Sequence, residues 1–294
     1  MEKELIPSSL KINRPEPIQG EVELVSFVKG TAIQDVIQVL FSGRYVLIEE
    51  FYSNGLELLK ELQHYLKKKY PNETFLEQRA FRAEYRKLSN LILIEIRAHQ
   101  LNVKKAPSIG WLEKLYPETP DFLLPFPQIQ GLNSAWQWYC NGVVIPGIRD
   151  KVHPYYGVYF PTRFEHIHLF DNWLKHYQGH KKTAIDVGIG SGILSFLMVK
   201  HGFQKSFGTD MNPNAIVGLK EAMDGTKLAR KIEIDYGHLF GKWEKQTELI
   251  VFNPPWLPAS HDLGRLDEAI YYLSLIHISE PTRQAEISYA VFCL

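Results

Sequence analysis

The tetrapeptide Asn253-Pro254-Pro255-Trp256 combines residues that could hold a flat amino group. Proline has no backbone N–H, so the carbonyl groups beside Pro254 and Pro255 lack competing donors. The side-chain carbonyl of Asn253 adds a second acceptor, and two acceptors can bind both hydrogens of one NH2 group. Trp256 could stack on a planar substrate, a contact worth about 1 to 3 kcal/mol for a nucleobase. The tetrapeptide therefore predicts a site for an amide or an aromatic amine.

A glycine-rich loop with the sequence DVGIGSG occupies positions 186–192, between an apolar strand pattern and an apolar helix pattern. Glycines permit a tight turn there and let a ligand approach the backbone N–H groups of a helix start. The next strand pattern ends at Asp210, where a carboxylate can accept both hydroxyl groups of a ribose. Together the loop and Asp210 predict a nucleotide site, and the alternative is a purely structural turn.

Two ligands suit such a loop, a dinucleotide and S-adenosylmethionine, and the dinucleotide pattern G-x-G-x-x-G is not met after Gly188 and Gly190. The run instead resembles motif I of the class I methyltransferases, D-x-G-x-G-S-G. That resemblance implies S-adenosylmethionine as the cofactor, with Asp210 holding its ribose. It also implies that the motif residues Asp186, Gly188, Gly190 and Gly192 surround the methionine part. The stretch GTDMNPNAI at 208–216 resembles a strand end of nitrogen-specific methyltransferases and adds Asn212 to the implied cofactor site.

The tetrapeptide at 253–256 resembles the [N/D/S]-P-P-[Y/F/W] motif of amino-methyltransferases. That family includes enzymes for adenine N6, guanine N2 and the glutamine side chain of translation release factors. The resemblance implies catalytic roles for Asn253, Pro254, Pro255 and Trp256. We expect methylation of a nucleobase amine in RNA or DNA, with a protein glutamine as the alternative. A binding module that keeps the fold without catalysis is a further alternative, which the intact acids, glycines and Asn253 disfavour.

Two further segments bear on this predicted site. The stretch 155–170 precedes the loop where the same enzymes place a closing segment, and by this resemblance Thr162 and Arg163 lie near the cofactor. His238 stands where these enzymes commonly carry an acid near the adenine, so the adenine contact stays open. His166 and His168 are two residues apart and would not share one helix face, and we predict no metal.

Regular elements must position these residues. Short apolar strands at 183–187, 206–210, 232–235 and 248–252 alternate with helical patterns, which predicts a mostly parallel, Rossmann-like α/β sheet. Right-handed connections place the carboxyl ends of such strands at one edge, where ligands bind. The class I resemblance implies seven strands, so this sheet is expected to be truncated after the fourth.

The region before this sheet mixes strand and helix patterns, and it predicts a smaller α+β domain over 1–150 that by resemblance presents the substrate. We place the methyltransferase domain at 151–273. Proline and aromatic residues are frequent over 104–147, which predicts an irregular packed connector. The last segment, 274–294, resembles translated sequencing-adapter read-through, and we expect it to be a foreign tail.

The composition sets the remaining expectations. The chain has 294 residues and only two cysteines, too few for a disulfide framework. No apolar run approaches the roughly 20 residues that cross a bilayer, and we expect a cytoplasmic protein without a membrane partner. Lysines plus arginines equal aspartates plus glutamates at 33 each, so bulk charge does not favour nucleic acid. The basic runs at 67–69 and 79–87 contain or adjoin glutamates, which predicts solvated helix faces.

Overall fold

The computed structural model describes residues 10–71, 74–244 and 246–254, together with the backbone of 257–258, 271–272 and 291–293. The chain forms two compact units. The first unit is Arg14–Trp136, and the second unit is Met1–Asn13 together with Gln137–Leu294. This division precedes the predicted boundary at 150 because Val143 and Ile145 are buried in the core of the second unit.

The first unit is built on a mixed sheet. Strands β1, β2 and β3 are parallel, while β4 and β5 both run antiparallel to β3. Ile92, Leu93 and Ile94 are fully buried because β3 lies inside the sheet and is covered by helices. The elements are β1 (Leu24–Phe27), α1 (Ile33–Phe41), β2 (Tyr45–Ile48), α2 (Tyr52–Lys69), α3 (Phe75–Ser89), β3 (Ile92–Arg97), β4 (Gln100–Leu101), α4 (Trp111–Leu115), β5 (Phe122–Pro125) and α5 (Phe126–Asn141).

The prediction of an irregular connector over 104–147 was wrong, because this stretch forms α4, β5 and the 16-residue helix α5. Pro127 lies in the first turn of α5, where a missing N–H costs no intrahelical hydrogen bond. The aromatic residues serve as packing partners, and the rings of Trp111 and Trp136 meet edge to face with centroids 5.4 Å apart. A prediction from composition alone therefore gave the wrong structure for a segment that forms helices and a strand.

The second unit contains a parallel sheet with the strand order β12-β9-β6-β7-β8. The four predicted strands are all present, and they confirm the predicted α/β class. The elements are α6 (Glu165–His176), β6 (Thr183–Val187), α7 (Ile193–Lys200), β7 (Lys205–Asp210), α8 (Pro213–Met223), β8 (Ile232–Tyr236), β9 (Leu249–Phe252), β10 (Leu257–Pro258), β11 (Tyr271–Tyr272) and β12 (Val291–Cys293).

Strand β12 belongs to the predicted foreign tail and pairs with β9, at the edge where further strands were expected. The rest of the tail, 274–290 and 294, lies outside the described residues. The foreign origin of the tail and the truncation of the sheet stay predictions. None of the helices that the structure describes is long and apolar enough to cross a membrane.

An ion-pair cluster around Asp171 fixes α6 against the carboxyl end of α7. The Asp171 carboxylate accepts hydrogen bonds of 2.8 Å from Lys200 Nζ and His201 Nε2, and Lys175 Nζ lies 2.8 Å from its other oxygen. Burial opposes the charge, but these hydrogen bonds outweigh it and hold the pKa of Asp171 well below its usual value. The helix that follows the glycine loop is thereby anchored at its far end.

Candidate functional site

Three strand ends meet at the carboxyl edge of the second unit's sheet. Val187 at the end of β6 pairs with Thr209 of β7 on one side and with Phe252 of β9 on the other. One residue further, Gly188 lies between Asp210 and Asn253. Neighbouring strands are about 4.8 Å apart, so the backbones of Asp210 and Asn253 stand roughly 10 Å apart across the glycine loop. The sheet thus brings the predicted ribose acid and the predicted substrate asparagine to one edge.

The glycine loop has the backbone that its sequence predicts. Gly188, Gly190 and Gly192 have φ values of +70°, +51° and +81°, a region that side-chain-bearing residues rarely adopt. A Cβ atom on Gly190 would make an ordinary van der Waals contact with the Tyr159 carbonyl oxygen at 3.7 Å, so a small group fits beside this residue without a clash. A Cβ on Gly192 would lie only 2.7 Å from Leu219. Gly192 is therefore needed for packing, while Gly190 leaves room for a ligand.

Asp210 closes the loop from the neighbouring strand. Its Oδ2 accepts a hydrogen bond from Gly190 N at 2.8 Å, and its Oδ1 accepts one from Asn212 N at 2.8 Å. Burial raises the pKa of Asp210, and the hydrogen bonds from the backbone of Asn212 and Gly190 oppose that rise. Each carboxylate oxygen keeps further acceptor capacity. Asp210 can therefore orient the loop and still accept two hydroxyl hydrogens.

Asp186 has a different geometry from the one expected of a cofactor ligand. Its side chain is 1% exposed, and its Oδ2 accepts hydrogen bonds from Ser195 N at 3.0 Å and Ser195 Oγ at 2.8 Å. Helix α7 begins after Gly192, which has no side chain to cap it, and Asp186 supplies the acceptor that a helix start needs. The carboxylate thus lies between strand and helix, away from the open edge, and positions the loop.

The pKa of Asp186 yields a stability prediction. Burial raises this pKa to about 7, although hydrogen bonds from Ser195 lower it. An unfolded aspartate titrates near 3.9, so the folded protein binds the proton more tightly and its free energy of unfolding falls as pH rises from about 4 to 7. Between about pH 5 and pH 8 we expect a loss of roughly 2 to 3 kcal/mol from this group.

Asp186→Asn is expected to abolish this part of the pH dependence, because the amide keeps an acceptor for Ser195 without a titrating charge. Urea unfolding of both proteins at the two pH values measures the difference. If the two proteins lost the same free energy of unfolding over this range, Asp186 would not be the titrating group.

Asparagines at the start of α8 hold the closing segment. Asn212 accepts a hydrogen bond from Asn214 N at 3.1 Å and donates from Nδ2 to Gly157 O at 2.7 Å. Asn214 is fully buried, and its Nδ2 donates to Tyr156 O at 2.7 Å and to Asn13 O at 2.8 Å. Its Oδ1 accepts from Asn13 N at 2.8 Å. The Asn212 side chain thus caps α8 and binds the backbone of the closing segment. Its contact with the cofactor stays a prediction.

Asn214 was not among the predicted site residues, although it belongs to the same D-M-N-P-N run as Asp210 and Asn212. The sequence does contain a signal for this residue. A second asparagine in the first turn of a helix is suited to hydrogen bonds with nearby backbone rather than to helix propagation. What the sequence does not contain is the identity of its partners, which come from distant parts of the chain.

The closing segment approaches the loop through its first half. The Tyr159 carbonyl lies beside Gly190, and Phe160 packs on Trp138 with ring centroids 5.4 Å apart. Thr162 and Arg163 are exposed, and no hydrogen bond or ion pair within the described residues links them to the loop. Their roles with the cofactor stay predictions.

An apolar rim flanks Asp210. Met211 is 53% exposed and Tyr236, which pairs with Asp210 across the sheet, is 49% exposed. Neither residue was predicted as part of the site, because an apolar side chain at a strand end is ordinarily assigned to the core. Asp235 accepts from Lys242 N at 3.2 Å and holds the following loop, whereas His238 is exposed. The rim offers a planar ring a surface beside Asp210.

Asn253 and Pro254 follow β9 directly and are partly exposed. Pro255 and Trp256 lie outside the described residues, so the predicted stacking contact is not part of the described geometry. Within the described residues, no group of three or more His, Cys, Asp or Glu side chains is arranged to hold a metal ion.

Residues 168–254 match the family model of ribosomal protein L11 methyltransferase (PrmA). This span contains the glycine loop, Asp210 and Asn253. This part of the second unit is therefore similar to a family of methyltransferases. A candidate protein N5-glutamine methyltransferase of Methanocaldococcus jannaschii is 34% identical over 122 residues, which cover 41% of this chain and 57% of the relative.

Two L11 enzymes are also similar to the second unit. The ribosomal protein L11 methyltransferase of Lachnospira eligens is 37% identical over 67 residues, or 22% of this chain and 21% of the relative. The crystal structure of ribosomal protein L11 methylase from Lactobacillus delbrueckii subsp. bulgaricus is 24% identical with a TM-score of 0.30, and the alignment covers 37% of this chain and 57% of that one. The matched residues therefore span 57% of the M. jannaschii relative and of the Lactobacillus structure, and 21% of the L. eligens enzyme.

The similarity to methyltransferases implies S-adenosylmethionine as the cofactor of the second unit. The geometry fits this cofactor in two respects. A Cβ atom on Gly190 would fit with no contact shorter than 3.7 Å, and Asp210 stands next to it with acceptor capacity for a ribose diol. The exposed rim of Met211 and Tyr236 suits the adenine ring.

Proposed function

We propose that this protein is an S-adenosylmethionine-dependent N-methyltransferase that acts on a planar amino group. The observation that carries the proposal is the register of β6 with β7 and β9, which sets Asn253 beside the glycine loop and Asp210 on the loop's other side. A substrate nitrogen at Asn253 would then lie on the same edge as the bound cofactor. The cytoplasm stays the predicted location.

The bound cofactor supplies an electrophilic methyl group, and the strand-end residues prepare the acceptor nitrogen. The Asn253 side-chain oxygen and a backbone carbonyl beside Pro254 accept the two hydrogens of the amino group. Accepting both hydrogens moves the nitrogen towards a tetrahedral geometry, in which its lone pair is nucleophilic. The prolines support this role because they contribute no N–H that would compete for those oxygens. The excess proton leaves after methyl transfer.

A nucleobase amine is the first substrate candidate, with RNA placed before DNA. Its support is Trp256, whose indole would stack on a base next to the acceptors. An aliphatic amide would gain less from such a contact, because it has no aromatic face to offer the indole.

A protein glutamine is the second candidate. The similarity to the candidate protein N5-glutamine methyltransferase of M. jannaschii favours it, and a glutamine amide presents the same flat NH2 group to Asn253. The alternative of a binding module without catalysis is disfavoured, because Asp210 and Asn253 are both present at the sheet edge.

Transfer of a labelled methyl group tests the proposal. The protein is incubated with methyl-labelled cofactor and with RNA, DNA and protein fractions of a cell extract, and Asn253→Ala serves as the control. Label in RNA or DNA that depends on Asn253 supports the nucleobase proposal. Label in protein alone would replace it with the glutamine alternative, and no Asn253-dependent label in any fraction would overturn methyl transfer to nitrogen.

A further inference from the structure

Asn13, which directly precedes the first unit in the chain, pairs with one buried side chain of α8. Its backbone N donates to Asn214 Oδ1 at 2.8 Å, and its backbone O accepts from Asn214 Nδ2 at 2.8 Å. An amide side chain carries a donor and an acceptor on one flat group, so Asn214 can bind both backbone groups of one residue. Asn214 is fully buried, and water does not compete for these hydrogen bonds. The pairing therefore fixes the backbone of Asn13 at the start of α8.

The side chain of Asn13 reaches the other asparagine of this helix start. Its Nδ2 donates to Asn212 Oδ1 at 3.2 Å. The same Asn212 oxygen accepts from Asn214 N at 3.1 Å, and Asn212 Nδ2 donates to Gly157 O at 2.7 Å. Because hydrogen bonds engage both ends of the Asn212 amide, they fix its orientation. We call Asn13, Asn212 and Asn214 the asparagine clasp.

The asparagine clasp holds the backbone of the closing segment. Asn214 Nδ2 donates to Tyr156 O at 2.7 Å, and Asn212 binds the next carbonyl in the chain. A short way further along the same segment, the carbonyl oxygen of Tyr159 lies beside Gly190. A shift of the clasp would therefore move the part of the closing segment that faces the glycine loop.

The clasp also reaches the acid that is proposed to hold the ribose. Asn212 N donates to Asp210 Oδ1 at 2.8 Å, while Gly190 N donates to the other carboxylate oxygen. Burial raises the pKa of Asp210, and the hydrogen bond from Asn212 N opposes that rise by favouring the charged form. A change in the orientation of Asn212 is therefore transmitted to the Asp210 carboxylate.

We propose that Asn13 is a positioning residue for S-adenosylmethionine, because its side chain fixes the Asn212 amide that holds both the closing segment and Asp210. This inference rests on the proposed function and deepens it, since it assigns a residue outside the predicted motifs to retention of the cofactor. Parts of a site that are already ordered bind more tightly, because less freedom is lost on binding. Without the Asn13 side chain, more of this ordering has to accompany cofactor binding.

The test is a double-mutant cycle of Asn13→Ala and Asn212→Ala, with cofactor affinity measured by calorimetric titration. Asn13→Ala retains the backbone pairing with Asn214 and removes the side-chain hydrogen bond to Asn212. We expect it to weaken cofactor binding about threefold to tenfold, the range for the loss of one hydrogen bond. In the Asn212→Ala background the same change should alter the affinity by less than about twofold, because the two residues act as one unit. Asn172→Ala, at an exposed position of α6, is the matched control and should bind like the parent.

Hydrogen exchange in the absence of cofactor provides a readout that a general loss of stability would not produce. We expect faster exchange of the amides at 156–160 in Asn13→Ala, and parent-like exchange in β6 and α7. Asn13→Asp keeps the size of the side chain but places an oxygen against Asn212 Oδ1, so it should have the larger effect on affinity and exchange. Faster exchange throughout β6 and α7 would overturn the positioning role.

The outcomes separate this inference from the proposed function. If the parent protein does not bind S-adenosylmethionine, the proposed function fails and the positioning role fails with it. If the parent binds the cofactor and both Asn13 variants bind it equally well, only the positioning role is overturned. Equal weakening with and without the Asn212 side chain would also overturn it, because Asn13 would then act independently of Asn212. Weakening that disappears in the Asn212→Ala background, with faster exchange confined to the closing segment, supports it.

Discussion

Asn253→Ala is expected to lower the rate of methyl transfer at least a hundredfold while leaving the affinity for S-adenosylmethionine within about twofold. The side-chain oxygen is one of the two acceptors proposed to bind the amino hydrogens, and loss of a single preorganised polar contact to a reacting group typically costs about a hundredfold or more in rate. Asp210, the acid proposed to hold the ribose, stands two strands away, and we expect it to be unaffected. Single-turnover rates and calorimetric titration measure the two quantities separately.

The control for this variant is Asn172→Ala, which removes an exposed asparagine side chain from α6. It should transfer methyl groups at the parent rate. Turnover of Asn253→Ala at the parent rate would remove Asn253 from the mechanism. A loss of both turnover and cofactor affinity would instead mean that Asn253 shapes the glycine loop.

Asp210→Ala is expected to weaken cofactor binding at least a hundredfold. The change removes both carboxylate oxygens that are proposed to accept the ribose hydroxyls. It also removes the acceptor of the hydrogen bond from Gly190 N, which positions the glycine loop. Hydrogen bonds to charged groups contribute about 1.5 to 3 kcal/mol each, so two such contacts account for a loss of this size. Calorimetric titration with S-adenosylmethionine measures it.

Asp210→Asn separates the two roles of this residue, because the amide keeps one acceptor oxygen for Gly190 N while losing the charge. We expect an affinity between those of the parent and Asp210→Ala. Asp224→Ala, at an exposed position after α8, is the matched control and should bind like the parent. Cofactor affinity that does not change in Asp210→Ala would refute the ribose assignment.

Much of the second unit could be predicted from sequence because its signals are local. Apolar runs such as TAIDV and LIVF have the pattern of strands buried on both faces, and the glycines after the first run mark a turn that other residues would strain. Parallel pairing then brings the strand ends to one edge without further information. The meeting of Asp210, Gly188 and Asn253 follows from these rules.

Contacts between distant residues could not be predicted in the same way. Asp186 reads as the first residue of a ligand loop, and only the packing of α7 on the sheet shows its carboxylate turned to Ser195. The prediction for the proline-rich stretch before Gly147 was wrong for another reason. Its prolines lie in the first turn of a helix and at a strand end, and composition alone does not distinguish such prolines from those of loops.

The hydrogen bonds between Asn13 and Asn214 have a consequence for chain topology. They tie Asn13 to the rest of the second unit, so the first unit is an insertion within the second and is joined to it by two covalent connections. A fragment that begins at Gln137 would lose Asn13 and leave part of the buried Asn214 amide without its partners, at a cost of about 1 to 3 kcal/mol. The second unit is therefore discontinuous in sequence.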